Sequence, residues 1–160
     1  MSMRADAVLE QVSKAGELYH RLVLLVAPSG AGKTEVLDAV CSTLSASAIN
    51  VNLELSKSML DLTTKQRALR APSILSGIVE KTRGEIALLD NLEVLFDLSL
   101  HLDPLRLLKD LSRSRTVVAS WNGSINERGL SYGEPDHPEY RLYGPSDIDF
   151  LYTTSEGDEG

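Results

Sequence analysis

Ala27-Pro28-Ser29-Gly30-Ala31-Gly32-Lys33-Thr34 follows directly on the apolar run Leu22-Val23-Leu24-Leu25-Val26 and leads directly into a helical pattern. A strand, a turn of small residues closing on Gly-Lys-Thr and a helix in that order make a phosphate-binding loop, or P-loop. Small residues let consecutive backbone N–H groups curl around a β-phosphate. Lys33 can bridge β- and γ-oxygens, and the Thr34 hydroxyl can ligate Mg²⁺ at a helix N-terminus whose dipole favours anions. Pro28, Ser29, Gly30, Ala31, Gly32, Lys33, Thr34 and Glu35 are therefore the candidate nucleotide-binding residues, with ATP and Mg²⁺ as the expected ligands. The pattern departs at Ala27, where glycine is usual; the change is sterically mild because Gly30 and Gly32 remain. The alternative is a glycine-rich strand-to-helix turn with an incidental lysine, and the complete Gly32-Lys33-Thr34 ending argues against it.

The chain has 160 residues, 42% of them hydrophobic, which suffices for one good core and for one domain, expected over residues 1–154 with residues 1–20 as an N-terminal helix. Residues 155–160 are expected to be a disordered tail. Aromatics make up only 5%, so aliphatic side chains must do most of the packing. A net charge of −7 disfavours broad, sequence-independent DNA binding, which needs a sizeable lysine and arginine face, and leaves direct DNA contact open only through a small local patch. Cys41 is the single cysteine, so neither an intramolecular disulfide nor a cysteine zinc site can form. No segment has a signal-peptide core or an apolar run long enough to span a bilayer, so the expected compartment is the cytoplasm and no membrane partner is expected.

Around the loop, helical and strand patterns alternate. Val8, Val12, Ala15 and Tyr19 predict a first helix, and Val36, Leu37, Val40, Cys41 and Leu44 a helix after Lys33 with Cys41 in the core. Residues 48–55 alternate Ile49, Val51, Leu53 and Leu55 with Asn50, Asn52 and Glu54, which predicts an outer strand. Residues 56–70 read as a charged, solvated stretch, and Pro72 as the opening of a helix that ends at Gly84. Ile86-Ala87-Leu88-Leu89-Asp90 predicts a buried strand, Asp103-Pro104 the cap and first turn of a helix, and residues 116–121 a strand ending at Asn122-Gly123. Residues 129–144 read as loop, and 147–152 as a last strand. Strands separated by helices imply βαβ units, hence an α/β three-layer α/β/α sandwich of the P-loop NTPase kind around a mostly parallel, five-stranded sheet. In such a sheet ligands sit at the carboxyl ends of the strands, which brings the P-loop, Glu54, Asp90 and Asn122 to one edge.

Asp90 ends an apolar strand, as a Walker B aspartate does, and would hold Mg²⁺ directly or through water, together with Thr34; capping of the next helix is the alternative role. Asn122 stands where many ASCE-class ATPases, AAA+ proteins among them, keep a polar sensor of the γ-phosphate, although Asn-Gly is also a turn pair. Hydrolysis needs a carboxylate to take a proton from the attacking water, and Asn91 occupies the position after Asp90 where many AAA+ proteins have glutamate. Glu93 and Glu54 are the candidate bases. Arg128 and Arg141 fall in the region where AAA+ proteins carry an arginine finger, whereas Arg113 and Arg115 should lie at the far end of the sheet and could act only in trans. A small-molecule kinase would need an acceptor pocket and an arginine-rich lid, and no such segment is evident; a GTPase would need an Asn-Lys-x-Asp motif, which the sequence lacks.

Four stretches resemble one family closely: residues 88–97 (LLDNLEVLFD), 103–108 (DPLRLL), 115–123 (RTVVASWNG) and 137–141 (HPEYR). Together they are similar to BrxF, the small P-loop proteins of one type of BREX (bacteriophage exclusion) system. The resemblance implies a bacterial cytosolic ATP-binding or ATP-hydrolysing protein that works beside a DNA methyltransferase, a helicase and a phosphatase-domain protein. Its length is too short for the helical lid of a full AAA+ module, so closure over nucleotide is expected to need a partner or a nucleotide-dependent homo-oligomer.

Overall fold

All six residues of strand β1 (Leu22–Ala27) are buried, a pattern that a strand shows when helices cover both of its faces. The computed structural model of the chain describes residues 3–155; residues 156–160 of the expected tail lie outside them. In chain order the helices are α1 (Ala5–Ala15), α2 (Lys33–Leu44), α3 (Val51–Ser58), α4 (Thr64–Glu80) and α5 (Pro104–Leu111). The strands besides β1 are β2 (Ala48–Asn50), β3 (Ile86–Asp90), β4 (Thr116–Asn126), β5 (Gly129–Tyr132), β6 (Arg141–Tyr143) and β7 (Leu151–Thr154). β2, β3, β4, β1 and β7 pair in that order, all parallel. This is the expected α/β class with its five-stranded parallel core.

Alternate residues of each strand feed two cores. Leu24, Val26, Leu89 and Ala119 pack with Leu55, Leu75 and Leu105 of α3, α4 and α5. Val23, Leu25, Leu88 and Val118 pack with Val8 of α1 and with Leu37, Val40 and Cys41 of α2. Cys41 is buried there, as its helical spacing predicted. The buried amide of Gln11 ties α1 to the edge strand, donating to the Tyr152 carbonyl at 2.7 Å and accepting from the Thr153 hydroxyl at 2.8 Å. Truncating one of the fully buried leucines, Leu24 or Leu89, is expected to cost about 2–5 kcal/mol.

Several sequence expectations change, beginning with the first helix, expected over residues 1–20 and found over Ala5–Ala15. The strand expected over residues 48–55 stops at Asn50, whose side chain accepts from the Leu53 N–H at 3.1 Å and caps α3. Val51, Leu55 and Met59 are the buried set, four residues apart, while Leu53 is 53% exposed. The helix expected to open at Pro72 begins eight residues earlier, at Thr64, under a capping box between Thr63 and Gln66; Pro72 lies inside it. β4 does not end at Gly123 but runs on to Asn126, and residues 129–144 are not simply loop: β5 pairs β4 and β6 pairs β5, both antiparallel. These two strands make seven among the described residues. The last strand starts at Leu151, after a 3₁₀ turn over Pro145–Asp147.

Candidate phosphate-binding site

The order β3-β4-β1 places β4 between the P-loop strand and the strand that ends at Asp90. Register does the rest: Ala27 lies beside Asn122, and Asn50 beside Asp90. The loop itself needs its glycines, since Gly30 and Gly32 sit at φ +82° and +88°, where a side chain is strained. Gly32 also begins α2, and no side chain caps that end. The first turn of α2 thus offers backbone N–H groups and a positive dipole end to an anion.

Lys33 is 6% exposed, and its ammonium donates to the carbonyls of Ala27 and Pro28 at 2.9 and 2.8 Å. Burial pushes its pKa below the usual lysine range, against the opposing pull of Asp90 and Glu93. A cation held this way gains from a nearby polyanion, which supplies charge compensation that burial has removed.

Asp90 is held on both oxygens. Oδ1 accepts from the Ser120 hydroxyl at 2.6 Å and from the Asn91 N–H at 2.9 Å, while Oδ2 accepts from the Thr34 hydroxyl at 2.9 Å. Asn91 itself takes the left-handed conformation, φ +56°, that lets the chain turn away from the strand end. Mg²⁺ fits this donor set. The ligands are hard oxygens, and adjacent oxygens in an octahedral Mg²⁺ sphere with bonds of about 2.1 Å stand about 3 Å apart, close to the observed separation of Thr34 Oγ1 and Asp90 Oδ2. Ser120 was not singled out from the sequence. The signal was present in its position on β4, two residues before the strand's parallel pairing ends and on the face opposite Trp121.

Glu93 lies in a 3₁₀ turn just past Asp90, between two amides. Asn122 Nδ2 donates to its Oε1 at 3.0 Å and Asn52 Nδ2 to its Oε2 at 2.9 Å. Asn52 also accepts from the Val94 N–H at 2.6 Å and donates its own N–H to the Asn91 carbonyl at 2.9 Å. It therefore fixes the turn that carries Glu93 as well as the carboxylate. Reading Asn52 as a polar residue of an outer strand hid this role. Behind Glu93, Phe96 stacks on Tyr132 at 3.4 Å between centroids, and Trp121 meets both rings edge-on. Burial, followed by Glu93 and Glu139, pushes the Tyr132 phenol up to about 12, so it stays neutral.

A cleft of about 260 Å³ separates Ser29, Gly30, Gly32, Lys33, Thr34 and Glu35 on one wall from Asp90, Asn91, Glu93, Ser120 and Asn122 on the other. Pro28 and Ala31 are exposed on the loop. The remaining expected residues are elsewhere. Glu54 is on α3 rather than at a strand end, and its carboxylate pairs with Lys57 at 3.6 Å. Arg128 is exposed in the β4–β5 turn, and Arg141 on β6 donates to the Leu102 carbonyl at 2.5 Å. At the amino end of the sheet, Arg113 lies 4.8 Å over the Tyr19 ring and Arg115 donates to the Thr82 carbonyl at 3.2 Å.

No protein-family model matches the chain, and no curated protein does. Among solved structures it is similar to AMPPCP-bound DnaA from Aquifex aeolicus, with a TM-score of 0.47 at 13% identity over 96% of this chain and 45% of that one. It is also similar to PCH-2 of C. elegans, with a TM-score of 0.40 at 20% identity over 74% of this chain and 34% of that one. The chain thus spans less than half the length of either protein.

Proposed function

We propose that the chain binds ATP with Mg²⁺ in the cleft beside the P-loop and hydrolyses it slowly, as the nucleotide-dependent assembly switch of an anti-phage BREX complex. The observation that carries the nucleotide reading is the convergence of Lys33, Thr34, Asp90, Glu93 and Asn122 on one edge of the sheet. Lys33 and the first turn of α2 bind the phosphates. Thr34 and Asp90 would hold Mg²⁺, which when bound would supply charge neutralisation at the phosphate oxygens. Asn122 orients the terminal phosphate or the attacking water. Glu93 accepts the proton of that water as its oxygen bonds to the γ-phosphorus and the bond to the β-phosphate oxygen breaks, releasing ADP and phosphate.

A second reading, an ATP-dependent interaction module without turnover, is favoured by one observation: both Glu93 oxygens already accept from amides. The attacking water must therefore compete with an amide for the remaining lone pairs of this carboxylate. Phosphate release separates the readings. Under the hydrolytic one, wild type releases phosphate, alone or with partners, and Glu93→Gln lowers the rate by at least about 10², whereas Glu54→Gln leaves it near wild type. No release even with every partner present selects the module.

The resemblance of residues 88–97 and 115–123 to the BrxF family supports the defence role and the methyltransferase, helicase and phosphatase-domain partners. Light scattering on the chain alone and with those proteins, with and without Mg²⁺ and ATP, tests the switch. A nucleotide-dependent change in assembly is the expected result, and identical masses in every condition would remove it.

A further inference from the structure

A second cavity, of about 550 Å³, opens between the P-loop and the β4–β5–β6 hairpin, and the nucleotide reading leaves it without a role. Pro28 and Ser29 form one side, Tyr140 and Leu142 the other, and Asn122 belongs to both this cavity and the phosphate cleft. Leu142 is 51% exposed. With Pro28, Pro135 and Tyr140 it gives the cavity an apolar wall of a size suited to one or two aliphatic side chains. Of the charged residues in 127–141, Glu134 and Arg128 line the cavity, while Glu127 and Asp136 stand next in sequence to the lining residues Asn126, Arg128, Pro135 and His137. Glu127, Glu134 and Asp136 are exposed, and among the described residues none of them is in an ion pair. Arg141 donates to the Leu102 carbonyl and does not line the cavity, whereas Arg128 does.

An apolar wall under an acidic rim selects a particular kind of partner. We propose that the cavity docks an extended, basic segment of a partner protein, with an aliphatic side chain against Leu142 and lysine or arginine on either side facing Glu127, Glu134 and Asp136. Nucleic acid would be repelled by the same carboxylates. Because Asn122 borders the cavity and also holds Glu93, docking bears on the carboxylate expected to act on water. That coupling rests on the nucleotide reading; the docking does not. Exposed rim charges also make the association salt-dependent.

The test uses the full chain and a fluorescein-labelled hexapeptide of alternating arginine and leucine, with the glutamate–leucine hexapeptide as its match, read by anisotropy. The basic peptide is expected to bind at least about tenfold more tightly than the acidic one, equivalent to about 1.4 kcal/mol. Glu127→Lys with Glu134→Lys and Asp136→Lys should weaken it by at least about tenfold. Glu17→Lys with Glu80→Lys and Glu85→Lys makes the same change in net charge on other surfaces and should stay within about threefold of wild type. Leu142→Ser, at an exposed position, should weaken binding by about threefold or more. Equal loss in the two triple variants, equal binding of both peptides, or no binding of the basic one would overturn the proposal. Lys33→Ala keeps the peptide and loses ATP if both readings hold; wild type that takes the peptide but no ATP sinks the nucleotide reading alone. In a chain that binds both, saturating peptide should change phosphate release at least about twofold, and an unchanged rate would overturn the coupling.

Discussion

Replacing Ser120 with alanine removes one buried hydroxyl, 5% exposed, whose 2.6 Å bond holds Asp90 Oδ1. A hydrogen bond to a charged group contributes about 1.5–3 kcal/mol. Asp90 would keep the Asn91 N–H and the Thr34 hydroxyl, so the carboxylate is not stranded and the low end applies, about 1.5 kcal/mol. The same loss frees Asp90 to rotate away from the Thr34 hydroxyl, and side chains that orient a metal ligand typically contribute about 10–100-fold to metal affinity. Ser120→Ala should therefore raise the Mg²⁺ concentration for half-maximal binding of a fluorescent ATP analogue by about tenfold, with a urea midpoint lowered by the equivalent of about 1.5 kcal/mol. The assay is a Mg²⁺ titration at fixed nucleotide, on wild type and variant with matched circular dichroism. An unchanged Mg²⁺ midpoint would refute the assignment of Asp90 and its support.

Gly123→Ala tests the hairpin: an added Cβ would lie 1.8 Å from the Ser131 carbonyl oxygen, a backbone atom that cannot yield without unpairing β4 from β5. A loss of about 3 kcal/mol or more is expected in urea unfolding, and a loss under about 1 kcal/mol would contradict the pairing. Asn52→Leu keeps the size of the side chain but leaves the Val94 N–H without its acceptor, so a loss of about 1–3 kcal/mol is expected; an unchanged melting midpoint would count against that role. Burial by itself would raise the Asp149 carboxyl, yet Lys109 at 3.0 Å and His20 at 3.1 Å outweigh it and hold its pKa below the usual aspartate range. A depressed carboxylate contributes stability above its unfolded pKa and loses it as pH falls through the folded one. The gap between wild type and Asp149→Asn, under about 1 kcal/mol because Asp149 is half-exposed, should start to narrow as pH falls below about 4 and vanish below the folded pKa; a gap that does not narrow on acidification, or that widens, would oppose it.

The parts of the site that were legible in the sequence are those in which one residue type has one local use. Gly30, Gly32, Lys33 and Thr34 are contiguous, and Asp90 ends an apolar strand, so neither depends on distant pairing. Residues 48–55 misled because two periods overlap there. Ile49, Val51, Leu53 and Leu55 alternate, but Val51, Leu55 and Met59 also repeat every four residues, and burial follows the second pattern. The Asn50 side chain, accepting from the Leu53 N–H, settles which pattern the backbone takes. That one difference moves Glu54 onto a helix and brings Asn52 to Glu93. The hairpin was hidden for another reason: Asn122-Gly123 has turn chemistry, yet Gly123 serves a close approach to Ser131 within continuous strand. Such an approach depends on a partner strand eight residues on, which local propensity does not encode.

Isothermal titration of Mg²⁺–ATP into wild type and Lys33→Ala tests the central claim most directly. Lys33 is the buried cation beside Asp90 and Glu93, so its loss should remove the phosphate clamp without moving the strands. One ATP per chain for wild type, and binding at least about 10²-fold weaker for the variant with unchanged circular dichroism, is the predicted result, equivalent to about 2.7 kcal/mol. Equal affinity in the two proteins, or no heat from the wild type, would contradict the account.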